Sequence, residues 1–252
     1  MSSKVVYAIP SYKRHDTIRD KTLATLQRGN VPLSNIYVFV VQEEEEAYRQ
    51  ACPGYQIQVG LLGLIQQRAF VQGFFDQDTY IVFCDDDIQE IFRPIDSKTK
   101  EPITDIPGLI SQMKVRMISE SVTICGVYPC NNLKFALGNP EITTDFRYIV
   151  GAFYLIRNLR MPECQLDVGD PASHEDKIRT IKYYQKEGKI LRYNRVQIKT
   201  KYFGKGGLDS PDRLSKHKSE AEALCLRFPE YLRLQKTSKM TDCKCKKIKI
   251  LI

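Results

Sequence analysis

Hydrophobic positions at the start of the chain fall into short runs that are separated by amphipathic segments. Four runs rich in β-branched and aromatic residues predict strands, at residues 4–9, 36–41, 57–59 and 80–84. The segments between them have helical periodicity and helix-ending signals, and they predict helices at about residues 16–28, 43–51 and 64–75. Because strands and helices alternate, this part of the chain predicts a parallel, doubly wound sheet with right-handed crossovers.

The pattern becomes less regular after residue 92. It predicts a polar loop at residues 94–107, helices at 108–119 and 177–187, and strands at 122–128, 147–156 and 192–199. Three glycines predict a flexible loop over residues 202–208. Since the chain contains no internal repeat and no convincing boundary, we expect a single domain over residues 1–252.

Polar residues follow two of the predicted strands directly. Ligands of doubly wound sheets bind beyond the carboxyl ends of the strands, so residues 11–14 and 85–87 are expected to meet at one rim. The second segment is three consecutive aspartates, whose mutual repulsion requires a cation or hydrogen-bond donors beside them. Strand alternation predicts that Asp85 and Asp87 share a divalent ion, Mg²⁺ or Mn²⁺, while Asp86 bonds within the scaffold.

The alternative for the aspartates is an N-cap cluster, with a helix beginning at residues 88–91. A cap requires one aspartate rather than three, so the metal and diphosphate interpretation is favoured. Lys13 and Arg14 are alternatively ordinary surface charges, but the expected position of their loop at the rim favours a functional role.

Composition is that of an ordinary globular protein, with 42% hydrophobic and 27% charged residues. The net charge of +8 is concentrated late in the chain, which permits a polyanionic partner, although a solvated basic surface explains it equally well.

No apolar run approaches membrane-spanning length and the N-terminus lacks a signal-peptide pattern, so we expect a soluble, cytoplasmic protein with reduced cysteines. Cys243 and Cys245 suggest a metal or redox pair, but free thiols are favoured because no second pair accompanies them.

Several motifs together resemble the glycosyltransferases of the GT-A fold: residues 9–14, 63–68, 84–87 and the His-Glu-Asp at 174–176. In detail, residues 4–208 are similar to the glycosyltransferases associated with DNA base hydroxylases. That family includes the base J glucosyltransferase and phage enzymes that glycosylate hydroxymethylated pyrimidines. The resemblance implies an α/β GT-A (Rossmann-like) mixed sheet, with a parallel nucleotide-sugar-binding half at 1–92, an acceptor half at 93–210 and a basic C-terminal segment at 211–252.

The resemblance also implies roles for individual residues. Those expected to contact the nucleotide-sugar, most simply a UDP-sugar, are Pro10, Ser11, Arg14, Arg68, Asp85 and Asp86. Asp87 and Asp85 are expected to bind Mn²⁺ or Mg²⁺, with His217 completing the metal shell or, alternatively, lying solvated between lysines. A cation and basic side chains at this place would stabilise the charge that develops on the leaving diphosphate.

Residues 174–176 stand just before a predicted helix, where a carboxylate could accept the proton of an acceptor hydroxyl. We expect Asp176 to be that base with Glu175 as the alternate, and an in-line attack would invert the anomeric configuration. Helix capping by Asp176 or Ser173 explains the same residues about equally well. Lys205, in the glycine-rich loop, is expected to close over the diphosphate unless that loop is an ordinary surface turn.

The acceptor expected from the resemblance is a hydroxymethylpyrimidine in DNA. The enzyme is then expected in the cytoplasm or, if it is viral, in the cytoplasm or nucleus of the host cell. A flipped base could stack on aromatic side chains such as Tyr128, Phe135 and Tyr202. A surface glycan or a protein is the alternative acceptor. A sugar nucleotidyltransferase would usually carry glycines after its first strand, which residues 11–14 lack, and a non-catalytic DNA-binding module would not need Asp85 and Asp87.

Overall fold

The computed structural model describes residues 4–200, 213–236 and 241–246. Within them a ten-stranded mixed sheet is flanked by helices, and a separate two-stranded sheet lies near the end of the chain. The strands are β1 Val5–Pro10, β2 Ile36–Val40, β3 Gln56–Val59, β4 Tyr80–Cys84, β5 Glu90–Pro94, β6 Lys100–Pro102, β7 Ile124–Tyr128, β8 Ile142–Thr143, β9 Phe153–Arg157, β10 Leu191–Lys199, β11 Leu232–Lys236 and β12 Thr241–Cys245. The α-helices are α1 Ala24–Arg28, α2 Glu45–Ala51, α3 Leu64–Phe74, α4 Ile106–Glu120, α5 Leu133–Leu137, α6 Glu175–Glu187 and α7 Arg213–Arg227.

The parallel half of the sheet has the order β3-β2-β1-β4. Tyr7 in β1 pairs with Ile36 on one side and Val82 on the other, so the first and fourth strands end at the same rim. Strands of a parallel sheet are covered on both faces, which explains why β2 and β4 are buried at every position and read as continuous apolar runs. The doubly wound arrangement predicted for this half is confirmed.

The remaining strands continue the sheet in the order β4-β9-β7-β10-β5-β6, with β8 beside β10. The prediction of a loop over residues 94–107 holds only in part, because β6 at Lys100–Pro102 pairs with β5 in an antiparallel hairpin and α4 begins at Ile106. The strand predicted over 147–156 begins only at Phe153, since the preceding residues leave the sheet. Ile149 instead packs on Gly126 in β7, where a Cβ atom would lie 2.5 Å from an Ile149 methyl group.

The helix predicted at residues 16–28 is shorter and contains an irregular turn. A π-helix occupies Arg19–Leu23 and passes directly into α1. Thr22 in this turn donates to the Asp85 carbonyl at 2.7 Å and accepts from the Ile88 amide at 2.9 Å. Such turns are frequent at functional sites, and this one fixes the backbone of the aspartate segment.

Two apolar clusters cover the two faces of the large sheet, and a third joins the C-terminal elements to α6. The third cluster contains buried residues of α6, α7 and the small sheet: Ile178, Ile181, Ala221, Leu224, Leu232 and Cys243, with Phe146 beside them. Cys243 and Cys245 are therefore packed against protein rather than lying in a solvated tail, and all eight cysteines are free thiols. Among the described residues, no helix has the length and apolarity to cross a bilayer.

Candidate functional site

A cavity of about 430 Å³ opens at the carboxyl ends of β1 and β4. It lies at the rim where ligands bind in doubly wound sheets. Its lining contains every described residue that was expected to contact the donor, together with both candidate bases: Pro10, Ser11, Arg14, Arg68, Asp85, Asp86, Asp87, Glu175 and Asp176. Lys205, and the loop at 202–208 that carries it, lie outside the described residues.

Asp86 bonds within the scaffold, as strand alternation predicted. Its Oδ1 accepts from Arg14 Nη1 at 2.5 Å and its Oδ2 accepts from the Ser11 hydroxyl at 2.6 Å. Because Ser11 gives its single proton to Asp86, the Tyr48 hydroxyl 2.6 Å away donates to Ser11 and accepts from the Arg14 amide. Arg14 thus belongs to the site rather than to the surface, and Tyr48, which the sequence did not single out, holds its loop.

The N-cap interpretation of the aspartates is wrong, because the segment after them enters strand β5 at Glu90. The segment is held instead by side chains of the π-helix and α1. Thr25 donates to the Ile88 carbonyl at 3.1 Å, in addition to the two bonds of Thr22. No regularity in the sequence marks Thr22 as a site residue, since its partners lie more than sixty positions away.

Glu175 lies between two arginines in the interior and is 3% exposed. One oxygen pairs with Arg68 and the other accepts from Arg179 Nη1 at 2.5 Å. Arg68 also donates to Asp85 Oδ1 at 3.1 Å and to the Gly151 carbonyl at 3.0 Å, so the network reaches the cavity. Burial opposes the charge of Arg68, but Glu175 and the neighbouring acids outweigh it and raise the pKa of this arginine.

Gly151 allows this network to form. A Cβ atom at this position would lie 2.6 Å from Glu175 Oε1, closer than real Cβ contacts, and 3.0 Å from Arg68 Nη1, which is tighter than most of them. Glycine in a strand can mark a close approach of other groups. The sequence placed Gly151 in a continuous strand, whereas the structure has a turn that brings Arg68 against the head of α6.

Asp176 follows Glu175 but has a different environment. It is half-buried, lines the cavity and accepts from the Tyr148 hydroxyl and, at 3.4 Å, from the Gly151 amide. Helix α6 begins at Glu175 with His174 as its N-cap residue, so Asp176 lies inside the helix and does not cap it. Ser173 does not cap it either, since its hydroxyl donates to Glu220 in α7.

The charge of the cavity fits a divalent cation. Among the described residues that line it, five carboxylates face two arginines. Burial, followed by repulsion from Asp85 and Asp86, raises the pKa of Asp87 to about 6. Burial also raises the pKa of Asp85, against the opposing effect of Arg68, although 40% of its side chain is accessible from the cavity. Oxygen ligands with uncompensated negative charge are those that Mg²⁺ and Mn²⁺ prefer.

The other expected site residues lie elsewhere. His217 is absent from the described lining of the cavity and instead contacts His174, with ring centroids 4.2 Å apart. Phe135 is 62% exposed on α5, and Tyr128 lies under the Arg192 guanidinium at 5.2 Å. Tyr202 is outside the described residues.

No protein-family model matches the chain, and no curated protein matches it. Solved structures do. The TarS 1–349 fragment from S. aureus in complex with UDP-GlcNAc has a TM-score of 0.56 at 14% identity, covering 90% of this chain and 73% of that one. Glucosyl-3-phosphoglycerate synthase from Mycobacterium tuberculosis, with Mn²⁺, UDP-glucose and glycerol 3-phosphate, has a TM-score of 0.56 at 11% identity, covering 99% and 89%.

A second TarS structure, without a named ligand, matches 77% of this chain with a TM-score of 0.50 at 12% identity, and this chain spans 59% of its length. At these identities the likeness concerns the fold. The mixed α/β sheet is that of the GT-A structures, and the fold expected from the sequence is confirmed.

The buried network predicts that Glu175 contributes mainly to stability. Glu175→Ala leaves Arg68 and Arg179 without their shared acid, and removing one partner of a buried pair costs about 3–5 kcal/mol. We expect a loss of that size in the free energy of unfolding, measured by urea denaturation. Asp176→Asn, which keeps an acceptor oxygen on an accessible side chain, is the matched control and should change it by less than about 1 kcal/mol. Equal stability of the two variants would contradict this role.

The raised pKa of Asp87 predicts how metal binding depends on pH. A metal ligand must be deprotonated, so the affinity for Mn²⁺ rises as pH increases through about 6 and then levels off. Calorimetric titration with Mn²⁺ alone at pH 5 should give at least about tenfold weaker metal binding than at pH 7.5, because Asp87 is then mostly protonated. Asp87→Asn should bind Mn²⁺ weakly at both values. A wild-type affinity that does not change between them would exclude Asp87 as a ligand.

Proposed function

We propose that this protein is a glycosyltransferase that moves a sugar, glucose or a similar hexose, from a nucleoside-diphosphate sugar to a hydroxyl acceptor. The observation that carries the proposal is the arrangement in one cavity of Asp85 and Asp87, two arginines, and a separate accessible carboxylate, Asp176. These are the charges that the reaction requires: a metal site, positive charge for a leaving diphosphate, and a base for the attacking hydroxyl.

The donor part of the proposal rests on the residues at and after the ends of β1, β2 and β3. Pro10, Ser11 and Arg14 form one wall of the cavity, and the apolar side chains of Val41, Leu61 and Leu62 also line it. Apolar walls with a few convergent polar groups are typical of ligand pockets, and a nucleoside would bind here. The similar TarS and glucosyl-3-phosphoglycerate synthase structures contain UDP-GlcNAc and UDP-glucose respectively, which supports a UDP-sugar for this chain.

Asp85 and Asp87 are the residues that would hold Mn²⁺ or Mg²⁺. Bound there, the ion supplies positive charge beside the diphosphate as the sugar leaves. Arg14 lies beside this position in the first loop, 2.5 Å from Asp86 and 3.3 Å from Asp87, so its guanidinium would be close to a diphosphate bound there. Arg68 positions Asp85 from the other side of the cavity. Lys205 is proposed as an additional diphosphate contact from the chain beyond Thr200.

Asp176 is the better of the two candidate bases. Glu175 is held by Arg68 and Arg179, so neither of its oxygens is available to an acceptor. Asp176 lines the cavity, and its partners are the neutral Tyr148 hydroxyl and backbone amides, which orient the carboxylate without an ion pair. In this proposal Asp176 accepts the hydroxyl proton while the sugar is displaced in line, and the anomeric configuration inverts.

For the acceptor we propose a 5-hydroxymethylpyrimidine in DNA. The similarity of residues 4–208 to the DNA-modifying family supports it, as does the charge of the C-terminal elements. The exposed cations among the described side chains of α7, β11, β12 and the residue after β12 are Lys216, Lys218, Arg227, Arg233, Lys236, Lys244 and Lys246, of which Arg227 is paired with Asp167 and Asp170. A flipped base is neutral and could enter a cavity with excess acid, while the phosphates remained outside on basic surface. A surface glycan or a protein is the alternative, and it requires no such basic surface.

Replacement of the proposed base should affect turnover and spare donor binding. Asp176→Asn is expected to lower kcat for sugar transfer by about 10²–10⁴-fold, while the Kd for UDP with Mn²⁺ remains unchanged. The matched control is Asp76→Asn, which alters an exposed aspartate outside the cavity. Unchanged kcat in Asp176→Asn would assign the base role to another group.

The acceptor is tested by mass spectrometry of DNA that contains hydroxymethylcytosine or hydroxymethyluracil, incubated with UDP-glucose and Mn²⁺. We expect one hexose per modified base, none on matched unmodified DNA, and a β-linked product by NMR, because UDP-glucose is an α-anomer and in-line attack inverts it. Transfer to glycans or proteins alone would contradict the DNA acceptor and leave the glycosyltransferase proposal intact. If the protein neither hydrolyses any UDP- or GDP-sugar nor transfers sugar from it, both the glycosyltransferase proposal and the DNA acceptor are contradicted.

A further inference from the structure

A cluster of metal-binding side chains lies outside the described lining of the cavity. Its members are His174 at the head of α6, His217 on α7 and Asp242 on β12, and one nitrogen or oxygen from each lies within 4.8 Å of the others. Asp242 Oδ1 is 3.8 Å from His174 Nδ1 and 3.9 Å from His217 Nε2. Three elements that are distant in sequence therefore direct ligand atoms to one point.

Hydrogen bonds orient the His174 imidazole toward the centre of the cluster. The Nε2 atom of His174 lies 3.2 Å from the His217 carbonyl, which fixes the proton there and leaves Nδ1 as the lone-pair atom facing Asp242. In His217, Nδ1 is buried without a hydrogen-bond partner and Nε2 is beyond hydrogen-bond distance of Asp242. Nε2 is therefore the His217 nitrogen that faces Asp242.

A positive charge already occupies the centre of the cluster. The Lys177 ammonium is 2.8 Å from Asp242 Oδ1 and 3.1 Å from His174 Nδ1, the same two atoms that a metal would use. Ammonium binds such atoms as a cation with hydrogen-bond donors, and a metal ion could take its place only if the Lys177 side chain moved away. The geometry thus offers a cation-binding position in which Lys177 and a metal ion compete.

We propose that His174, His217 and Asp242 form a second metal site, distinct from Asp85 and Asp87, which binds a Zn²⁺-type ion in place of the Lys177 ammonium. The donor set would be two imidazole nitrogens and one carboxylate oxygen, with a fourth position for water. Such a set binds Zn²⁺ in preference to Mg²⁺. With ligand bonds of about 2.0–2.2 Å, tetrahedral ligand atoms lie about 3.4 Å apart, so small side-chain rotations close the present spacing.

The site would tie the C-terminal elements to the segment that carries the cavity acids. His174 immediately precedes Glu175 and Asp176, whereas His217 and Asp242 belong to the helix and hairpin that pack on α6 through the third apolar cluster. A bound ion would bridge these units, and its binding energy would add to their docking. The proposal is independent of sugar transfer, because none of its three ligands lines the cavity.

The test is titration of the full metal-free chain with Co²⁺ alone, followed by visible absorption and calorimetry. Tetrahedral coordination should appear as intense visible bands from one Co²⁺ per chain, in addition to any ion held by Asp85 and Asp87, and Zn²⁺ should displace it. His217→Ala and Asp242→Asn should weaken binding about 100-fold or more, as expected for lost ligands. The matched control is His15→Ala. His15 lies beside the first loop against Tyr48, far from the three proposed ligands in sequence, so this variant should bind Co²⁺ like the wild type. Asp87→Asn should also leave the bands unchanged.

Lys177→Met gives a second, opposite readout. Removing the competing ammonium should tighten Co²⁺ binding by about tenfold or more, while circular dichroism checks that every variant is folded. Binding that persists in His217→Ala, or that His15→Ala loses equally, would identify an adventitious ion only and overturn the proposal. Absence of binding in both the wild type and Lys177→Met would overturn it as well. None of these outcomes depends on whether the protein transfers sugar.

Discussion

The site depends on one buried carboxylate shared by two arginines. Glu175, at the head of α6, fixes Arg68 from α3, and Arg68 in turn holds Asp85 at the end of β4. Arg179 completes the charge balance and lies 3.8 Å above the ring of Tyr154, which stacks on Phe83. Since an unpaired buried charge is costly, the parallel half and the second half of the sheet are held in a defined relative position. Asp85 and Asp176 then face the same cavity.

The network also divides the acids of the cavity by function. Asp86 is occupied by Arg14 and Ser11, and Glu175 by its arginines, so both act within the scaffold. Asp85, Asp87 and Asp176 remain directed at the cavity with fewer compensating charges. Placing groups of equal chemistry in unequal environments is how a protein assigns different roles to neighbouring carboxylates. The excess of acid is what makes the rim suitable for a cation and a phosphorylated donor.

Local patterns predicted the parallel half well because its strands are buried on both faces and its helices are amphipathic. The same patterns failed where the chain leaves regular structure for a functional reason. The π-helix at Arg19–Leu23 satisfies the backbone of the aspartate segment, and the turn before Phe153 makes room for Arg68 against Glu175. Neither contact produces a periodic pattern in the sequence, because the residues that interact are distant along the chain. Tyr48, Tyr148 and Arg179 were missed for this reason.

By itself the sequence determined the alternating strands and helices of the parallel first half, the aspartate segment at a strand end, and the acids before a helix at 174–176, since each depends on short-range pattern and on the rule that parallel strands end at one rim. Only the tertiary structure decided which acids are paired. Glu175 is paired with arginines whereas its neighbour Asp176 is not. His217, which the sequence assigned to the metal at Asp85 and Asp87, lies instead beside His174 and Asp242. Electrostatic partnership depends on distance and burial in three dimensions, and a local sequence pattern does not specify either when the partners are distant along the chain.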